Sequence, residues 1–213
     1  MKKIQDYKKE QQSGNRTELI NFLIDRFGYQ RHLEIGMDCG KNFEKIKCKY
    51  KIGVDPAVGE YSHANPTYTM TSDEFFKQNK EMFDIIFVDG LHEHTQVYRD
   101  IVNSLNVLSD GGTVVCHDMN PLNEASQTFP RASRRGIPWN GDCWKAFVQL
   151  RMECDDLEMC VIDADWGLGI IRKGSQKKLV ATDLTYENFN KNRNEWLNLV
   201  SEADFKNSNF CKN

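Results

Sequence analysis

Hydrophobic positions along this chain fall into short blocks that switch between helical and strand spacing, and that switching is its clearest structural signal. Leu19, Ile20, Leu23, Ile24 and Phe27 recur on one helical face. Asn15 stands ahead of them as a cap and Gly28 behind as a stop, which predicts a helix over 17–27. Residues 32–36 then read as a short strand closing on Gly36, followed by a helix through Phe43. Residues 50–55 repeat the theme and close on Asp55, where Pro56 blocks helical continuation. A third strand is predicted over 67–70, ahead of a helix capped by Thr71 or Ser72 with Phe75 and Phe76 on its buried side.

The block 83–88 is nearly all apolar, as a strand covered on both faces must be. Val97, Ile101, Leu105 and Leu108 mark an amphipathic helix predicted to stop at Gly111 and Gly112. Residues 113–116 follow as a strand ending at His117 and Asp118. Past residue 155 the alternation lapses. Residues 159–162 and 168–171, joined by the polar stretch 163–167, read as a hairpin, and a polar helix is predicted over 186–200. Strands alternating with helices predict an α/β fold: a doubly wound, mostly parallel sheet of seven strands closing with an antiparallel hairpin. A single domain is expected over 1–213. Within it, 1–14 is a polar arm, 119–139 a long connection over the acceptor, and 173–213 a C-terminal helix and tail.

Composition narrows the function classes. Apolar residues make up 39% of the 213 positions, enough for one core, and the formal net charge is -3. A nucleic-acid binder would carry a basic surplus, so no nucleic-acid partner is expected. No stretch approaches the length of a membrane span. The seven cysteines are scattered without a C-x-x-C pair, which suits reduced thiols in a cytoplasmic setting. A homo-oligomer stays open.

Ligands of open parallel sheets bind outside the carboxyl ends of the strands. This chain places acids and glycines there: Glu34 and Gly36, Asp55, Asp73 shortly after the third block, Asp89 with Gly90, and His117 with Asp118. Acids so placed suit the hydroxyls of a nucleoside and a cationic amino-acid moiety. The stretch 34–40, with Gly53-Val54-Asp55 about twenty residues on, resembles the class I S-adenosylmethionine-dependent methyltransferases over most of the chain. The resemblance implies a Rossmann-like sheet and S-adenosylmethionine as cofactor. By the same resemblance Glu34, Gly36 and Gly40 form the first cofactor motif, Asp55 the acid for the ribose, Ser72 and Asp73 the adenine position, and Asp89 the acid after the fourth strand. Asp38 departs from the pattern, standing where the central glycine of that motif is usual.

Asp89 and Asp118, at the ends of adjacent strands, can share a divalent cation, and hard oxygen ligands favour magnesium or manganese. The alternative, that Asp118 caps a turn and Asp89 holds only the cofactor, stays open. The arrangement is similar to that of metal-dependent O-methyltransferases, sugar-modifying ones included, in some of which a histidine three residues past the first acid is the base. His92 has that spacing and titrates near neutrality, which makes it the candidate general base. His117 and His94 stand in reserve, while His32 and His63 read as structural. The expected acceptor is a small molecule, best a saccharide or nucleotide-linked sugar. Trp139 or Trp144 would wall its ring, with Trp144 read rather as core, and Arg131, Arg134 and Arg135 either recognise a phosphate or are solvated. Two other classes remain. A nicotinamide-dependent oxidoreductase would want G-x-G-x-x-G, and only Gly36 and Gly40 are present. A non-catalytic binding module could share the fold.

Overall fold

A computed structural model describes residues 15–57, 65–131 and 138–211. The arm 1–14, His63, Arg134 and Arg135 lie outside the described residues. The first helix, α1 (Arg16–Phe27), starts at Asn15, whose side chain accepts from the Thr17 amide, and ends at Gly28 with φ 71°. It leads into β1 (Arg31–Ile35), α2 (Lys41–Lys45) and β2 (Tyr50–Val54). Next come α3 (Ser72–Gln78), capped by Thr71 in a box with Glu74, β3 (Phe83–Val88), α4 (His94–Asn106) and β4 (Leu108–Cys116). The chain closes with α5 (Cys143–Glu153), the strands β5 (Leu157–Ile162) and β6 (Leu168–Lys173), α6 (Tyr186–Leu197), β7 (Leu199–Val200) and α7 (Glu202–Asn207).

Seven strands make one sheet in the order β2-β1-β3-β4-β6-β5-β7. Pairing is parallel from β2 through β4 and again between β5 and β7; β6 runs antiparallel to both neighbours. The pleat sorts side chains to two apolar layers. Ile86 and Val88 face the layer holding Phe75, Ile101, Trp144, Phe147, Phe189 and Trp196. Ile85 and Phe87 face Leu19, Ile20, Leu23, Phe205 and Phe210. Trp144, fully buried, stacks on Phe189 with ring centres 4.2 Å apart, and is core as its spacing with Phe147 suggests.

Three elements differ from the sequence pattern. Residues 67–70 contribute only an isolated bridge between Val54 and Tyr68, because this stretch follows Pro66 and is largely exposed. The helix expected to reach Gly111 stops at Asn106, and Leu108 instead opens β4, with the register against β3 shifting between Phe83 and Ile85. The helix expected over 186–200 ends at Leu197, where Asn198 turns left-handed at φ 45° and releases β7. The seventh strand is therefore β7, on the far edge of the sheet.

Candidate active site

The strand order reverses between the parallel strands β1 and β3, and the loops leaving these strands touch. The Asp89 amide donates to the Ile35 carbonyl at 2.8 Å, and a Cβ on Gly36 (φ 82°) would lie 2.2 Å from the Asp89 carbonyl oxygen. Only glycine permits that approach. Beside it, Asp38 holds φ 47°, a left-handed conformation that aspartate tolerates better than most side chains, so the missing glycine does not forbid the turn. Gly40 (φ 74°) starts α2.

Around this point opens a cleft of about 1020 Å³, lined by Gly36, Asp55, Ser72, Asp73, Asp89, His92, His117 and Asp118 among others. Glu34 lies on a smaller adjoining recess, buried, accepting from Asn42 Nδ2 at 2.8 Å. Gly40 lines neither and acts through the helix it starts. Asp55 sits at the end of β2. Its Oδ2 accepts from the Met37 amide at 2.8 Å and its Oδ1 from the Ala57 amide at 2.7 Å. Oδ2 also accepts from the Asp38 amide at 3.2 Å, so it is Oδ1 that keeps a lone pair free for a hydroxyl. Gln96, in the first turn of α4, donates to Ser72 Oγ and Asp73 Oδ1, both at 3.2 Å, and to buried Asp100 at 3.0 Å. Asp100 itself is pushed up to about 6 by burial, opposed by bonds from Ser72 and Gln96.

The acceptor side is a dense charge cluster. His117 Nδ1 lies 3.2 Å from Asp89 Oδ1 and 3.0 Å from Asp118 Oδ2. His92 reaches the same two oxygens, Nε2 at 3.5 Å from Asp89 and Nδ1 at 3.3 Å from Asp118. The His117 Nδ1–Asp89 Oδ1 contact is a hydrogen bond; the others are electrostatic contacts, and His92 Nδ1 and His117 Nε2 are buried without a hydrogen-bond partner among the described residues. Burial would lift the Asp89 carboxyl, but His117 and Arg16 hold it well below the usual range. Burial likewise pulls both imidazoles down, and Asp118 with Asp89 outweighs it, leaving His92 raised and His117 well raised.

Two members of the cluster escaped the sequence reading. Arg16 donates from one guanidinium nitrogen to Asp89 Oδ2 at 2.6 Å and from Nε to Asp165 Oδ2 at 2.9 Å. Asp165 comes from the β5–β6 turn, where Asp165, Trp166 and Gly167 all have positive φ and bend back over the cleft. His94 does not join them, its Nε2 instead meeting Gln149 at 2.8 Å, and buried His32 meets Glu34 at 3.3 Å. The two therefore have structural partners.

A pH dependence of stability follows. His117 keeps a raised value in the fold and returns to about 6.5 when unfolded. Its contribution is therefore complete below pH 6.5 and is lost as pH rises through the folded value. In chelator-treated protein the thermal midpoint should fall on raising the pH above neutrality, and His117→Gln should flatten that slope. An equally steep slope in the variant would assign it elsewhere.

The β2, β3 and β4 ends just described fall inside a recognised sequence pattern: residues 49–119 match the model of a family described as a methyltransferase domain. No curated protein sequence matches the chain. Solved structures share the fold at low identity. SAH-bound methyltransferase PaMTH1 of Podospora anserina superposes with a TM-score of 0.56 at 16% identity, over 81% of this chain and 86% of its own. An O-methyltransferase of Bacillus cereus in complex with SAH gives 0.51 at 12%, over 79% and 88%. The SAM-bound O-methyltransferase TomG of Streptomyces achromogenes, involved in tomaymycin synthesis, gives 0.50 at 15%, over 73% and 77%. The chain has the fold of the class I S-adenosylmethionine-dependent methyltransferases.

Proposed function

We propose that this protein is an S-adenosylmethionine-dependent O-methyltransferase whose acceptor is a small hydroxylated molecule, a saccharide or nucleotide-linked sugar. One observation carries the reading. The ends of β1 to β4 converge on one cleft that joins nucleoside-type donors and acceptors to a histidine flanked by two carboxylates. The residues suit the cofactor chemically. Asp55 Oδ1 can accept from a ribose hydroxyl, Ser72 and Asp73 border the adenine position, and Asp89 with the Gly36 turn faces the amino-acid end. When bound, the cofactor supplies a methyl group on a sulfonium leaving group. The protein then has to orient the acceptor oxygen and take its proton. His92, which lines the cleft, takes that proton, and Asp118 and Asp89 stabilise the imidazolium that results. Leu91, 54% exposed, Trp166 and Arg131 border the cleft, and this apolar rim with the Arg131 guanidinium fits a sugar carrying a phosphate.

A metal-assisted version has its own support. One donor atom from each of Asp89, His92 and Asp118 lies within 4.8 Å of the others, a set whose two carboxylates suit magnesium or manganese. A cation there would add Lewis-acid polarisation of the acceptor oxygen.

The test is thermal unfolding with and without S-adenosylhomocysteine, NAD run alongside, repeated for Asp55→Ala. A ligand at a hundred times its dissociation constant adds about 2.7 kcal/mol, easily seen in the midpoint. We expect a shift with S-adenosylhomocysteine alone, lost in Asp55→Ala. A shift with NAD instead would overturn the reading. Cofactor binding without turnover on any sugar acceptor would leave a binding module. Full activity after dialysis against a chelator would remove the metal.

A further inference from the structure

Four consecutive residues at the end of the long β4–α5 connection each grip a different part of the reaction centre. The Trp139 indole stacks on the His92 imidazole, ring centres 4.8 Å apart and planes 18° from parallel, while its Nε1–H donates to the Thr128 carbonyl at 2.6 Å. Asn140, 1% exposed, donates from Nδ2 to Asp118 Oδ1 at 2.6 Å, and its backbone N–H donates to the Ser126 carbonyl at 2.7 Å. Gly141 (φ 62°) runs so close to His92 that a Cβ there would lie 2.0 Å from the His92 carbonyl oxygen. Asp142 accepts from the His94 amide at 2.7 Å, tying the start of α4.

These contacts answer a question the charge cluster leaves. His92 meets its carboxylates only at 3.3 and 3.5 Å, and Nδ1 has no aligned bond, so the acids set its charge without fixing its ring plane. The stacked indole is what fixes that plane. Asp118 holds φ 65°, and Asn140 secures the carboxylate oxygen turned away from His92. Asn140 Oδ1 is buried with no partner among the described residues, so the amide is placed for its one bond to Asp118. Reversing the amide would set two oxygens against each other.

We infer that residues 139–142 form a strap that sets His92 against Asp118 for proton removal, with Trp139 and Asn140 as its positioning residues. The inference rests on the reading of His92 as the base. Displacing a reacting group by about 1 Å can cut rate on the order of a hundredfold without touching ligand affinity. The strap starts at Trp139, the last residue of the connection expected to cover the acceptor, but its first duty is to the base.

The experiment compares Trp139→Leu, Trp139→Phe and Asn140→Ala with the unaltered protein, in turnover and in the NMR spectrum of the His92 ring protons, assigned with His92→Gln. Indole stacking shifts those protons upfield. We expect Trp139→Leu to lose that shift and to lower kcat on the order of tenfold or more with cofactor KM within about twofold, and Trp139→Phe to restore much of both. Asn140→Ala should lower kcat in the same way. Should Asn140→Ala fail to fold, Trp139→Leu, at a partly exposed position, decides. An unmoved His92 resonance, or unchanged kcat in folded Trp139→Leu, overturns the strap. If the unaltered protein binds S-adenosylhomocysteine but transfers no methyl group, the methyltransferase reading fails by itself. The resonance still decides whether the strap holds the imidazole.

Discussion

His92→Ala is expected to lower turnover on the order of a hundredfold or more while leaving S-adenosylhomocysteine binding intact. The expectation comes from position before chemistry. His92 leaves the β3 loop three residues after Asp89, lines the cleft and lies between two carboxylates, so it faces both the cofactor side and the open acceptor side. Its charge state sharpens the test. Burial alone would lower the imidazole pKa, but Asp118 and Asp89 raise it above the ordinary 6.5. A base works in its neutral form, so kcat/KM should climb with pH through a limb lying above 6.5, not at or below it. Asp118→Asn removes the largest opposing charge and should move that limb to lower pH. His94→Ala is the control, because His94 is engaged with Gln149 and does not line the cleft. Unchanged turnover in His92→Ala would take the residue out of the mechanism, and a limb below 6.5 would assign the base to another group.

What the chain disclosed in advance was whatever local pattern dictates. β3 announced itself because a strand covered on both faces must be apolar at nearly every position, and Phe83–Val88 is. The acids at the strand ends followed, since in a parallel sheet all those ends face one way. Other features depended on contacts distant in sequence. Asp165 reads as one residue of a polar hairpin turn. It reaches the site because β6 inserts between β4 and β5, and because three successive left-handed residues fold the turn inward. β7 is two residues long, too short to show a period, and was absorbed into the helical pattern before it. Gly111 and Gly112 read as a helix stop, yet they lie within β4, and the cap of α4 is Val107. Arg16 did leave a trace. A basic side chain in the first turn of a helix opposes the helix dipole, and such a placement calls for acidic partners elsewhere.

Those partners make Arg16 the second large expectation: Arg16→Met should destabilise the protein by about 3 kcal/mol, the low end for removing one partner of a buried pair. For a chain of this size that is roughly a 10 °C fall in thermal midpoint. The side chains involved are mostly covered, with exposures of 26% for Arg16, 17% for Asp89 and 15% for Asp165, so solvent screens them little. Asp165 also accepts from the Arg16 backbone amide at 2.9 Å, serving the N-terminus of α1 directly. The loss should show a particular pH signature. Burial would raise the Asp165 carboxyl, but His117 and Arg16 hold it well below its ordinary value. A depressed acid contributes stability above its unfolded pKa and loses it as pH falls through the folded one. With Arg16 gone that folded value rises, so acid unfolding should begin at higher pH than in the unaltered protein. Arg16→Lys should recover only part of the stability, because one ammonium cannot span Asp89 and Asp165 as the guanidinium fork does. The double variant Arg16→Met with Asp165→Asn should be more stable than Arg16→Met alone, since it no longer buries a carboxylate stripped of its guanidinium partner. If Arg16→Met melts with the unaltered protein, the Asp89–Arg16–Asp165 bridge is not what joins α1 to the site.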